Sequence, residues 1–200
     1  MANAHDTPEL DPIPILETLA DHDVDFVAIG SYAAILQDVP LPMTDIDIVP
    51  RDDADNRRRL VAALEALGAH EQVGTVLEPI DDLLENPDSL SHSKFRTFVT
   101  DHGGVDVVNH PDGFERGYSD LIENSHEATV RSADNPNRTV TVTVADVSDI
   151  AESKRRAGRA KDITALPAFG SVLSPKEQKR RLRERYRREV ESKEAPSGDS

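Results

Sequence analysis

The chain has 200 residues and a formal net charge of −15, with 37% hydrophobic and 30% charged residues. That suits one ordinary domain with a tail, and so acidic a surface argues against a general nucleic-acid binder. Cysteine and tryptophan are absent and aromatics make up 4%, which excludes a disulfide framework, a thiolate metal site and a Cys nucleophile, and argues against an aromatic platform for single strands.

Met1 to Pro14 carries acids and prolines rather than a basic start and an apolar core, so no signal peptide is expected. No apolar run approaches the roughly 20 residues of a membrane span, and a cytoplasmic protein without membrane contact is expected. Pro14 to His22 places Ile15, Leu16 and Leu19 at helical spacing. Asp25 to Ile29 reads as a buried strand that stops at Gly30, and Ser31 to Gln37 as a helix broken by Pro40 and Pro42. Thr44 to Val49 alternates strictly and predicts a strand. Asn56 to Leu67 is amphipathic, with Leu60, Ala63, Leu64 and Leu67 on one face and Gly68 beyond its end. Val76 to Ile80 is a candidate strand, and the acidic stretch after it reads as a loop. Lys94 to Thr100 and Val105 to Asn109 form a hairpin around AspHisGlyGly. Gly113 to Asn124 reads as a helix, Thr139 to Val144 as a strand, and Asp146 to Leu166 as one basic helix ending near Pro167. Strands alternating with helices, two of them in a hairpin, predict an α/β (α+β) domain with a mixed sheet flanked by helices. That domain is expected over residues 13–170, followed by a basic C-terminal helix over 174–194 and a disordered tail over 195–200. The basic run Lys176–Arg188 is interrupted by Glu177 and Glu184, which favours pairing with an acidic body over binding RNA.

Three motifs carry chemistry. In the strand Asp45-Ile46-Asp47-Ile48, residues two apart share a face, so Asp45 and Asp47 stand side by side while the isoleucines enter the core. Two carboxylates so placed repel each other, and a divalent cation such as Mg²⁺ removes that penalty. A solvated acidic strand is the other reading. Gly30-Ser31 follows a buried strand and opens a helix, where backbone N–H groups and the Ser31 hydroxyl can meet phosphate oxygens. Ser31 as an ordinary helix cap is the alternative. Asp106, flanked by Val105 and Val107, would complete a three-carboxylate cluster if its strand neighbours the first; otherwise it is a surface acid after a turn. In the basic helix, Lys154, Gly158 and Lys161 share a face, Gly158 leaves room beside it, and Asp162 can hold Arg159 at i, i+3. A solvated basic helix explains the same residues.

Together, the Gly-Ser turn, the Asp-x-Asp strand and the later strand Asp resemble the nucleotidyltransferase superfamily that includes DNA polymerase β. PheValAlaIleGlySer (26–31), AlaAla (33–34), ThrAspIleAspIleValPro (44–50), the helix from Asn56 and the stretch 149–162 are similar to a small subgroup related to the AbiEii/MenT toxins. The resemblance covers roughly residues 15–168. It implies a metal-dependent transfer of a nucleoside monophosphate from a triphosphate to an acceptor hydroxyl. Asp45, Asp47 and Asp106 would be catalytic and would hold Mg²⁺ (or Mn²⁺); Gly30, Ser31 and Lys154 would bind the nucleotide. The acceptor would be a tRNA end, a protein or a small molecule, and an antitoxin-like protein is a candidate partner. A non-catalytic nucleotide-binding or interaction module of the same fold is the alternative.

Overall fold

The computed structural model describes residues 7–173 apart from 133, 134 and 136, so the expected basic helix and tail lie outside the described residues. In chain order the elements are α1 (Pro12–Asp21), β1 (Phe26–Ile29), α2 (Gly30–Ile35), β2 (Asp45–Pro50), α3 (Ala54–Ala66), β3 (His70–Val73), β4 (Val76–Pro79), α4 (Asp81–Glu85) and a 3₁₀ turn (Pro87–His92). They continue with β5 (Phe95–Thr100), β6 (Gly103–Val108), α5 (Tyr118–Leu121), a 3₁₀ turn (Ile122–Asn124), β7 (His126–Arg131), β8 (Thr139–Val144), α6 (Val147–Ala157) and α7 (Ala160–Phe169).

The strands form one mixed eight-stranded sheet in the order β4-β3-β5-β6-β2-β1-β8-β7. The central strand β2 runs antiparallel to β1 and parallel to β6. Its alternation works as the sequence predicts: Ile46 and Ile48 are fully buried, each worth roughly 2–3 kcal/mol of burial. Leu16 and Leu19 of α1, Leu60 and Leu64 of α3, and Phe98, Val105 and Val107 of the β5–β6 hairpin belong to the same core.

Asn56 closes one corner of this core. Its fully buried amide accepts from the Asp25 N–H at 2.8 Å and donates to the Asp25 and Arg51 carbonyls, each at 2.8 Å. The first turn of α3 is thereby tied to the chain on either side of β1 and β2.

Four local expectations are revised. The acidic stretch after β4 is not a loop: it forms α4 and the following 3₁₀ turn, with Leu83 and Leu90 buried. The helix expected over 113–124 shortens to α5 and a 3₁₀ turn. The sheet gains β3 and β7, which the sequence reading left unassigned. The single basic helix becomes two, because Gly158 takes a left-handed conformation at φ +62° and caps α6. Gly158 therefore serves the turn rather than clearing space beside a continuous helix face.

Candidate active site

Burial of β1 against β2 brings the first two motifs together. Ile29 pairs with Asp47, so the chain leaves the sheet at Gly30 directly beside the Asp47 carboxylate. Gly30 has φ +75°, and a Cβ built on it would stand 1.9 Å from Asp47 Oδ2. Glycine is required here twice, by backbone conformation and by contact. The buried Tyr32, Ala33 and Ala34 then anchor α2. No side chain caps this helix, so Ser31 is not the N-cap that one reading made it.

The parallel pairing of β2 and β6 supplies the third carboxylate. Asp45 aligns with Gly104 and Asp47 with Asp106, while Thr97 of β5 aligns with Asp106 from the other side. One row across the sheet therefore reads Ile29, Asp47, Asp106, Thr97, and Asp45 lies one residue pair away on the same face. Gly104 keeps the row tight, since a Cβ there would sit 3.2 Å from Asp45 Cβ.

The electrostatics reflect this crowding. Burial pushes Asp47 up to about 7, helped by the charges of Asp45 and Asp106, while Lys154 and Lys161 pull it down. Burial also raises Asp106; the Thr97 hydroxyl, Lys161 and Arg159 oppose the rise, and Asp45 adds to it. Asp106 Oδ1 is buried and has no hydrogen-bond partner. Among the described residues, no group of three or more acidic or imidazole side chains stands arranged to hold a metal ion as it is. The positive charge that reaches the acids comes from α6, α7 and the turn between them.

That basic element is held in place from both ends. At its start, Gln37 in the turn after α2 donates to the Ala145 carbonyl at 2.9 Å and accepts from the Val147 N–H at 2.9 Å. Asp146 caps α6 through the Ser148 N–H at 2.8 Å. At its end, Asp162 of α7 binds Arg159 Nε at 2.5 Å, as its spacing predicted, and also meets Lys154 Nζ at 3.5 Å. The structure thus brings Asp45, Asp47, Asp106, Gly30 and Lys154 into one neighbourhood, with Ser31 next to Gly30.

Sequence reasoning missed Thr97 and the reach of Asp162 to Lys154. Thr97 was legible in principle: a two-residue turn at Asp101-His102 aligns it with Asp106, whereas the wider AspHisGlyGly turn leaves the register open. Two cations of β5 and the residue before it point to other partners, Lys94 to Asp112 and Arg96 to Glu71 at 2.9 Å. His92 ends a 3₁₀ turn, and His102 sits in the β5–β6 turn.

No protein-family profile matches the chain, and no curated protein matches it in sequence. Solved structures do match its fold, and these neighbours are nucleotidyltransferases. The solution structure of the antibiotic-resistance factor ANT(2″)-Ia superposes with a TM-score of 0.52 at 14% identity, over 90% of this chain and 92% of that one. The crystal structure of ANT(2″)-Ia in complex with adenylyl-2″-tobramycin gives 0.51 at 14% identity, over 86% and 95%. A Thermotoga maritima protein described as a candidate nucleotidyltransferase gives 0.46 at 16% identity, over 85% and 99%, too loose a match to argue from. At these identities the likeness is one of fold, and the fold is nucleotidyltransferase-like.

Proposed function

We propose that this chain is a metal-dependent nucleotidyltransferase that moves a nucleoside monophosphate from a nucleoside triphosphate to an acceptor hydroxyl. The observation that carries the reading is the register of β2 and β6, which sets Asp106 beside Asp47, with Asp45 on the same face and Gly30 against the Asp47 carboxylate. The donor set fits a hard divalent cation: carboxylate oxygens only, mutually repelling, with Asp106 Oδ1 left without a partner.

Asp45, Asp47 and Asp106 would hold Mg²⁺ or Mn²⁺, which when bound neutralises the carboxylates and polarises the phosphate. The Gly30-Ser31 backbone and the Ser31 hydroxyl bind the β- and γ-phosphates. Lys154, whose ammonium charge already reaches Asp47, offsets the charge of the triphosphate. Asp106 accepts the proton of the acceptor hydroxyl. A bond forms from the acceptor oxygen to the α-phosphorus, the bond to the bridging oxygen breaks, and pyrophosphate leaves with that electron pair.

The acceptor classes are an RNA end, a protein side chain and a small molecule. The net charge of −15 weighs against RNA. The ANT(2″)-Ia complex holds an adenylylated small molecule, so aminoglycosides belong in the acceptor panel. An antitoxin-like protein remains the proposed macromolecular partner.

The test is calorimetric titration of the four NTPs with Mg²⁺ into wild type and into the Asp45→Ala/Asp47→Ala double variant, followed by labelled-nucleotide transfer over the acceptor panel. Metal-dependent binding that the double variant loses, followed by transfer, is the expected result. A folded wild type that binds no NTP refutes the reading. Binding without transfer to any acceptor class turns it into a non-catalytic nucleotide-binding module.

A further inference from the structure

Asp162 is a carboxylate that the proposed chemistry does not use. It is only 1% exposed, in the first turn of α7. An ionised carboxylate at such a site is costly unless cations compensate it. Its two cations come from different elements. Arg159 stands immediately before α7 and makes a close contact of 2.5 Å to Oδ2. Lys154 belongs to the last turn of α6 and approaches Oδ1 at 3.5 Å. Gly158 lies between them, with the left-handed backbone that turns α7 away from α6. Asp162 therefore spans the joint.

The two halves of this contact differ in kind. The Arg159 half is a hydrogen-bonded ion pair. The Lys154 half is an ion pair without a hydrogen bond, since Asp162 Oδ1 has no hydrogen-bond partner. Lys154 is nevertheless well covered, its side chain 13% exposed, and its charge is felt at Asp47. Such an ammonium is aimed but not consumed: it keeps its hydrogen-bonding capacity for an anion arriving over the carboxylates.

We propose that Asp162, itself held by Arg159, is a positioning residue that sets Lys154 at the mouth of the carboxylate site for the phosphate chain of a nucleoside triphosphate. The proposal rests on the nucleotidyltransferase reading and adds to it the group that orients its phosphate-binding lysine. Asp162 touches neither substrate nor metal and acts through Lys154.

The probe is inorganic tripolyphosphate with Mg²⁺, titrated calorimetrically into wild type, Asp162→Asn, Lys154→Ala and the double variant, with melting temperatures alongside. Asp162→Asn keeps the shape and removes the charge. Tripolyphosphate affinity is expected to fall about tenfold, the scale of one charge-assisted hydrogen bond. The double variant is expected to bind no more weakly than Lys154→Ala, because Asp162 has then lost the group it acts through. Wild-type affinity in Asp162→Asn, or losses that multiply in the double variant, overturn the proposal. Should Asp162→Asn not fold, the lysine-ammonium NMR signal of Lys154, assigned by its loss in Lys154→Arg, decides instead. A slowly exchanging signal that shifts on adding tripolyphosphate supports the contact, and no such signal refutes it. A wild type that binds neither tripolyphosphate nor NTP defeats the nucleotidyltransferase reading. Wild-type binding that Asp162→Asn leaves unchanged defeats only the positioning role.

Discussion

Replacing Asp47 by Asn is expected to stabilise the metal-free protein, and by an amount that grows with pH. The Asp47 carboxyl rises from 3.8 to about 7 in the fold, chiefly through burial and then through Asp45 and Asp106. A raised carboxyl binds its proton more tightly folded than unfolded, so its contribution to stability is fully present below pH 3.8 and is lost as pH rises through about 7. A shift of that size costs the ionised fold at most about 4 kcal/mol. Asn has nearly the same shape and no charge to desolvate. Urea unfolding in the presence of a chelator, from pH 4 to pH 8, measures the gap between the two proteins. The gap should be small near pH 4 and reach about 2–4 kcal/mol in favour of Asp47→Asn by pH 8. Saturating Mg²⁺ should close or reverse it, because a cation bound to the native state stabilises only the protein that keeps its carboxylate. A gap that stays constant from pH 5 to pH 8 would refute the argument that buried, unneutralised charge at Asp47 strains the fold.

Gly30→Ala combines a left-handed backbone with a Cβ 1.9 Å from Asp47 Oδ2, so it should cost at least about 2 kcal/mol in urea unfolding and abolish metal-dependent NTP binding by calorimetry. Gly158→Ala meets nothing closer than the Arg156 carbonyl at 4.0 Å; it should cost only about 1 kcal/mol of backbone strain and leave NTP affinity within about twofold, as thermal melting and calorimetry would show. Asn56→Leu leaves the Asp25 N–H without its acceptor, while the Asp25 and Arg51 carbonyls keep the Arg51 and Asp53 N–H groups as donors, and should lower stability by about 1–3 kcal/mol in urea unfolding.

The parts of this fold that were legible from sequence are those in which one face is buried. β2 shows its period because Ile46 and Ile48 face the core while Asp45 and Asp47 do not. α3 shows its stripe for the same reason. β3 and β7 were missed because HisGluGlnVal and HisGluAlaThrValArg bury little, so no apolar period marks them. β7 lies at one edge of the sheet, and β3 is second from the other. The break at Gly158 was visible as a glycine after a basic turn, a helix-stop signal, but Lys154 and Lys161 fit a continuous helix equally well by spacing. The site itself was legible as three separate motifs. Their convergence depends on the parallel pairing of strands far apart in sequence, which no local pattern reports.

That pairing also shows why the acids and the core cannot be separated in this protein. A one-residue slip of β6 against β2 would turn Asp106 inward and Val105 and Val107 outward, so the apolar pair on β6 fixes the carboxylate's position. The same packing that fixes the register also half-buries Asp47 and Asp106 and raises both. The lysines and arginine of the α6–α7 joint relieve part of that cost through their charge alone. A ligand that brings a divalent cation to the carboxylates and phosphates to the cations would satisfy both sets at once. On the proposed reading, the raised carboxyls at the sheet and the ammonium of Lys154 would be two halves of one binding preference.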